Sequence, residues 1–359
     1  MAELSRRRFL LAGIGWAALG LAACGGQASP PAAVAASAAP SKPAASPAVS
    51  APASGGRPTI RAAWGQTTAN QMTWPVAKEA GYFDKYGINV DLQYVDGSGA
   101  GVPALLSGEM DTITLGGSAV VGAQAGGSDL VMAAGFVNKG VLRIMGVPSI
   151  KSIDDLKGKT IAITKVGQTD YVIWKTIIAK QGWTEKDLTF VNANTVAGQV
   201  ALLQRGDAQG TAVSPPNDVL AERVGAHLVL DSQTLNLASQ QNGLVISKKV
   251  LAAKRPAVVN MIKASIESFV RWQKDPAFVK DVIKKYLKET DQRFIDVGYE
   301  AYLTVWPKAP YPSKDGFQTV IDEVATQNPK AKGLVPDQLM DTTLVKELED
   351  SGFVKQIWA

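Results

Sequence analysis

Between residues 58 and 359 the hydrophobic positions fall into short runs of two kinds, and the two kinds alternate. Residues 59–64 make a compact apolar run of strand type, followed by a helical stretch ending in Glu79-Ala80-Gly81-Tyr82-Phe83. Residues 89–95 alternate apolar and polar positions, as a half-buried strand does, and Asp96-Gly97-Ser98-Gly99 predicts a turn before a short helix at 102–106. Residues 112–115 form an apolar strand stopped by Gly116-Gly117-Ser118. The next helix is expected from Ala119-Val120-Val121, with Ser118 placed to cap it. Residues 130–134 and 142–147 read as further strands. Strands alternating with helical segments imply a sheet of largely parallel character.

The pattern then repeats. Residues 159–164 form a strand followed by Gly167-Gln168-Thr169, where the first copy has Gly65-Gln66-Thr67. Asp187-Leu188-Thr189-Phe190-Val191 echoes Asp91-Leu92-Gln93-Tyr94-Val95. Ala201-Leu202-Leu203 with Gly206 echoes Ala104-Leu105-Leu106 with Gly108. The strand 211–213, ended by Ser214-Pro215-Pro216, echoes 112–115. The offset stays within about 96 to 102 residues, and the common order carries more weight than any one match. The expected fold class is α/β with two similar lobes: lobe 1 over 58–148, lobe 2 over 149–242, and a return strand with C-terminal helices over 243–359 packing mainly on lobe 1. Val258, Ile262, Ile266 and Phe269 share one helix face, as do Val279, Val282, Ile283, Tyr286 and Leu287. Crossings near 147–152 and 241–246 would make a hinge.

The first 57 residues do not belong to this pattern. Arg6, Arg7 and Arg8 precede an apolar run of about 15 residues, short of the roughly 20 that span a bilayer, so 1–23 reads as an export signal. Ser5-Arg6-Arg7-Arg8-Phe9-Leu10 resembles the twin-arginine motif, and Leu21-Ala22-Ala23-Cys24 resembles a lipobox, in which Cys24 is the lipidated residue that anchors the chain to the membrane. Cys24 is the single cysteine of the 359-residue chain, so an intrachain disulfide is excluded. Residues 24–57, mostly Ala, Pro, Ser and Gly, read as a tether with a reach of roughly 30 Å as a coil and about 100 Å extended. Removing Arg6, Arg7, Arg8 and Glu3 takes the formal charge from +5 to +3, and no basic patch interleaved with aromatics follows, which argues against a nucleic-acid partner.

Chemistry is sparse. His227, the one histidine, sits in Ala226-His227-Leu228-Val229 and reads as a buried or edge residue; no His/Cys cluster predicts a metal, and no nucleophile elbow predicts a triad. Gly97-Ser98-Gly99-Ala100-Gly101-Val102 lacks the third glycine of a dinucleotide fingerprint, and no phosphate loop is present, so no cofactor is expected. Asp154-Asp155 reads as support for a helix start.

Three segments resemble one family. Gly81-Tyr82-Phe83-Asp84-Lys85-Tyr86-Gly87-Ile88, Leu105-Leu106-Ser107-Gly108-Glu109-Met110-Asp111 and Ser152-Ile153-Asp154-Asp155-Leu156-Lys157-Gly158-Lys159 are similar to segments of nitrate/sulfonate/taurine-type solute-binding proteins of ABC importers. The resemblance covers about 58–250 and extends to binders of thiamine-pyrimidine precursors. It implies the periplasmic binding protein type II fold and an extracytoplasmic binder, not an enzyme, that carries a small molecule to a permease, as a monomer. A sensor with the same fold is the alternative. A related iron-dependent pyrimidine synthase carries a cysteine-rich motif and functional histidines, which this chain lacks.

In open α/β sheets ligands sit beyond the carboxyl ends of the strands. That rule selects the turns at 64–70, 96–99, 116–118 and 135–138 in the first lobe, and 165–171, 192–195 and 214–217 in the second. The candidate ligand-binding residues are Trp64, Gln66, Thr67, Ser98, Gly117, Ser118, Phe136 and Asn138, joined by Gly167, Gln168, Thr169, Tyr171, Ser214 and Asn217. Trp64, Phe136 and Tyr171 would supply an apolar wall and the others polar contacts. Trp64 closing a sheet, Gly117 serving only its turn and Thr169 serving only as a cap are the structural alternatives. No arginine falls in these turns, which weighs against a strongly anionic ligand, and Lys139 and Lys165 lie nearby.

Overall fold

The computed structural model describes residues 56–359. The expected signal, Cys24 and the tether as far as residue 55 lie outside the described residues. Arg57, at the expected end of the tether, is tied to the fold by an ion pair with Asp84.

The first copy of the pattern runs β1 (Thr59–Trp64), α1 (Thr73–Glu79), α2 (Tyr82–Lys85), β2 (Asn89–Tyr94), α3 (Gly97–Ser107), β3 (Thr112–Leu115), α4 (Gly117–Ala125) and β4 (Leu130–Lys139). The second runs β5 (Arg143–Gly146), β6 (Thr160–Ile163), α5 (Thr169–Lys180), β7 (Thr189–Asn192), α6 (Val196–Arg205), β8 (Gly210–Val213), α7 (Asp218–Arg223) and β9 (His227–Asp231). The return strand β10 (Ala238–Ser247) leads to α8 (Lys248–Lys274), α9 (Pro276–Leu287), α10 (Gln292–Tyr302), α11 (Lys314–Gln327), α12 (Thr343–Asp350) and α13 (Phe353–Ile357).

Two mixed five-stranded sheets result, in the orders β2-β1-β3-β10-β4 and β7-β6-β8-β5-β9. In each, three parallel strands are followed by one antiparallel strand delivered from the other lobe. Ala63 lies opposite Ile113 as Ala162 lies opposite Thr211, so the first strands of the two copies are 99 residues apart. On that register Gly65 corresponds to Thr164. The tripeptides Gly65-Gln66-Thr67 and Gly167-Gln168-Thr169 therefore do not occupy equivalent places, and their match reflects only the polar composition of both turns.

Four further expectations are corrected. The strand expected to stop at Ala134 continues to Lys139, because Gly135 is a point of close approach and not a turn: a Cβ there would lie 2.8 Å from Pro312 Cα and 2.9 Å from the Tyr311 carbonyl oxygen. The strand expected at 142–147 in lobe 1 pairs with β8 and β9 in the second sheet. The chain consequently crosses between sheets at 140–142 and 236–237, earlier than expected both times, and the crossings are joined by the Gly140 N–H donating to Leu237 O at 3.0 Å. Finally, Asp96–Gly99 is not a free turn, since α3 begins at Gly97.

The first sheet is covered on both faces. On one, the predicted apolar faces of α8 and α9 bury Val258, Ile262, Ile266, Phe269, Val279, Val282 and Ile283 against Trp74, Trp272 and Trp306. On the other, α4 and α11 bury Val120, Val121, Phe317, Val320 and Ile321. In the second sheet α5 contributes Ile173, Trp174 and Ile177 to one core, and Leu203 of α6 and Ala221 of α7 join another. His227 opens the edge strand β9 and is partly exposed. The motif residue Asp111 is buried where β1 meets β3. Its carboxylate accepts from the Arg61 backbone N–H at 2.8 Å, Arg61 Nη2 at 2.9 Å and Lys254 Nζ at 2.7 Å. Burial pushes this carboxyl up, but the Arg61 and Lys254 hydrogen bonds win and hold it below the usual carboxylate range.

Candidate functional site

The carboxyl ends of β1, β3, β6 and β8 open onto one cleft of about 900 Å³ lined from both sheets. That volume suits a small organic molecule. From the first lobe come Gln66, Thr67, Asn70, Gln71, Ser98, Thr114 and Ser118; from the second, Thr164, Lys165, Gln168, Thr169, Asp170, Thr195, Gln199, Ser214 and Asn217; β10 adds Gln241. Four helices reach the cleft without a side-chain cap at their start: α3 after Asp96, α4 after Gly116, α5 after Gln168 and α7 after Asn217. Ser118, expected as a cap, is instead the second residue of α4. Leading N–H groups left uncapped in this way are donors suited to an acceptor on a ligand.

The two halves use one device to shape their floor. Six residues beyond Gly65, Gln71 accepts from the Gly65 N–H at 3.2 Å and from the Thr114 hydroxyl. Six residues beyond Thr164, Asp170 accepts from the Thr164 N–H at 2.5 Å, the Thr164 hydroxyl at 2.7 Å and Gln199 Nε2 at 3.0 Å. Burial pushes the Asp170 carboxyl up, against the pull of the Thr164 and helix-start N–H groups. A neutral amide in one lobe is thus matched by a carboxyl held toward its neutral form in the other.

Several polar atoms here lack partners among the described residues. Gln199 is fully buried, its Nε2 spread over Asp170 and the carbonyls of Ala162 and Ala212, while its Oε1 is unpartnered. Both Gln241 side-chain atoms are buried and unpartnered. Buried amide atoms without partners are costly, and both residues stand in the cleft lining. The charged residues lining the cleft, among those described, are Asp96, Lys165 and Asp170; no arginine lines it.

Of the sequence candidates, Gln66, Thr67, Ser98, Ser118, Gln168, Thr169, Ser214 and Asn217 are brought together on the cleft walls. Gly167 lines a small recess beside it. The others point elsewhere. Trp64 packs on Tyr94 and Tyr286, at ring-centre distances of 5.7 and 5.4 Å, on the rim of the first core. Phe136 is wholly buried between Trp74 and Phe269, because strand alternation turns it into the core. Asn138 donates to the Tyr311 carbonyl at 2.7 Å. Tyr171 packs on Phe190, and its hydroxyl donates to Glu185 at 3.0 Å. Gly117 is buried under Gln240 and Phe317. None of the three expected aromatics lines the cleft; its walls mix amide and hydroxyl groups with Tyr94, Leu115, Leu142 and Leu220.

Gln71, Gln199 and Gln241 were not singled out from the sequence. A signal for Gln199 exists, since it lies four residues before Leu203 on the buried face of α6, where a polar residue needs a reason. Among the described residues no group of three or more His, Cys, Asp or Glu side chains could hold a metal ion.

A family model described as NMT1/THI5 like matches residues 68–277, more than half of the chain and most of both cleft walls. The chain belongs to the NMT1/THI5-like family. No curated protein matches this NMT1/THI5-like chain in sequence. Solved structures similar to it include the alkanesulfonate-binding protein SsuA from Xanthomonas axonopodis pv. citri bound to MOPS, at 18% identity and TM-score 0.65 over 80% of this chain and 100% of that one. A zinc-bound ligand-binding component of an ABC-type import system from Staphylococcus aureus aligns at 15% identity and TM-score 0.67 over 81% and 98%. The periplasmic nitrate-binding protein NrtA from Synechocystis PCC 6803 aligns at 15% and 0.63 over 82% and 88%. At these identities the likeness establishes the fold, which is that of periplasmic binding proteins.

Proposed function

We propose that this chain is the extracytoplasmic solute-binding component of an ABC importer, and that its cleft takes a small polar molecule of low net charge without turning it over. The reading rests on one observation: a cleft of about 900 Å³ between two lobes, lined from both by amide and hydroxyl side chains, two of which, Gln199 and Gln241, also carry buried amide atoms without partners among the described residues. The similar solved structures include ABC-importer, alkanesulfonate- and nitrate-binding proteins, which supports delivery to a permease. Among the described residues no helix is long and apolar enough to cross a membrane. Attachment to the membrane is assigned to lipid on Cys24 after removal of 1–23, with 24–57 as the tether and a monomeric working unit.

Contacts from both lobes favour a closed arrangement only by their differential affinity, and moving from mostly open to mostly closed takes about 5.5 kcal/mol. Four or so hydrogen bonds of ~1–1.5 kcal/mol each reach that figure. A thermal-shift screen of sulfonates, nitrate, pyrimidines and uncharged polar solutes, run on the protein and on Gln241→Ala, tests the reading. A solute that raises the melting temperature of the unaltered protein should bind Gln241→Ala roughly tenfold more weakly, the equivalent of about 1.4 kcal/mol. Equal affinity for both would remove the cleft from consideration.

A further inference from the structure

Beside the cleft lies a recess of about 10 Å³, room for about one water-sized group. Ser118 and Thr169 line both spaces, so the recess adjoins the cleft. Its other walls include Gly167, Gln240 and Glu323 of α11. Glu323 is 6% exposed, on the helix face that carries Phe317, Val320 and Ile321 into the first-lobe core. Its Oε1 is buried and has no hydrogen-bond partner among the described residues.

An unpartnered acid on the buried side of a helix costs stability that glutamine or leucine would spare. The cation acting on it from α5, Lys175, is paired with Glu185, whose charge acts in the opposite sense. A ligand group that satisfies Glu323 from the cleft must carry a hydrogen-bond donor and fit the space of one heavy atom; an amine or ammonium adds a charge attraction to the acid that a hydroxyl lacks. A sulfonate or carboxylate is too large for that space and repelled by the acid.

We infer that Glu323 is a specificity-determining residue, accepting a hydrogen bond from an amine or ammonium group of the ligand that enters the recess between Ser118 and Thr169. The inference rests on the cleft being a solute site. It adds a polarity to that site: the nitrogen end of the ligand lies toward α11 and the rest of the ligand extends into the cleft. A ligand with a hydroxyl in place of the nitrogen keeps a donor for this oxygen but loses the charge-assisted part of the contact.

Isothermal titration of the full chain with three matched pairs tests this: taurine and isethionate, benzylamine and benzyl alcohol, glycinamide and glycolamide. In at least one pair the amine should bind tenfold or more tightly than its hydroxyl counterpart. Glu323→Gln, near-identical in shape, should abolish that preference while leaving the hydroxyl compound's affinity within twofold, and Glu323→Asp should fall between. Heat unfolding without ligand checks that both variants fold. Binding without an amine preference, or a preference that survives Glu323→Gln, overturns the role of Glu323 and leaves the solute site standing. Silence from all six compounds would count against the solute-site reading itself, and the inference would fall with it.

Discussion

At the scale of single residues, the cleft is organised by what each side chain must satisfy. Gln71 and Asp170 occupy matching places six residues beyond a strand end, and each receives a backbone N–H there. An amide suffices in one lobe, so the charge of Asp170 is not needed for the fold. With its carboxyl raised by burial, the sign follows directly. Above the ordinary aspartate range the unfolded chain releases a proton that the folded chain retains, which penalises folding; below that range both states are protonated and the penalty vanishes. Asp170→Asn is therefore expected to be at least as stable as the parent in urea unfolding at pH 7.5, with the advantage shrinking toward pH 4. A clear loss of stability at pH 7.5 would mean that the ionised carboxylate is the form the fold uses. The same scale explains which candidates fell away. Phe136 and Tyr171 lie close in sequence to cleft residues, but strand and helix geometry point them into packed aromatic clusters.

At the scale of elements, much was legible because the punctuation is chemical. Gly81 and Gly108 have φ of +71° and +76°, a region that side chains bearing a Cβ adopt at a cost, and each closes a helix in a segment that also carries the family resemblance. Those segments thus specify turns and the Asp111 ion pairs, and lie off the cleft lining. Gly81→Ala meets no atom within 4 Å, so its cost is conformational alone. It should lower unfolding free energy by about 1 kcal/mol and leave solute affinity unchanged; altered affinity would contradict the separation of these motifs from the site. The errors had physical causes as well. Gly135 carries the same residue type as a turn glycine, yet serves close approach to Pro312 and Tyr311, contacts 176 residues or more away in sequence that no local pattern reveals. The strand at 143–146 is apolar in either sheet, so its pairing partner could not be read from its own residues. Glu323 stayed hidden because one acid on an exposed-looking helix turn is ordinary until the opposing lobe is in place.

At the scale of the molecule, two sheets of the same strand order are joined by two adjacent crossings tied by one backbone hydrogen bond. Neither core spans the crossings, which is the arrangement that lets lobes rotate without repacking. The C-terminal helices build chiefly on the first sheet but touch the second lobe through α11, which faces α5 across the recess, and through α10, where Gly298 sits between Ala69 and Pro216, and where Arg223 pairs with Asp291 and Arg293 with Glu222. These exposed ion pairs carry little energy individually, so the balance between open and closed is left to what the cleft holds. Small-angle scattering of the tethered protein, alone and saturated with a solute identified by the thermal-shift screen, addresses that balance most directly. A smaller radius of gyration is expected with solute bound, and no change when Gln241→Ala is mixed with the same solute below its weakened affinity. Superimposable curves for the free and saturated protein would contradict the central claim that a bound solute draws the lobes together.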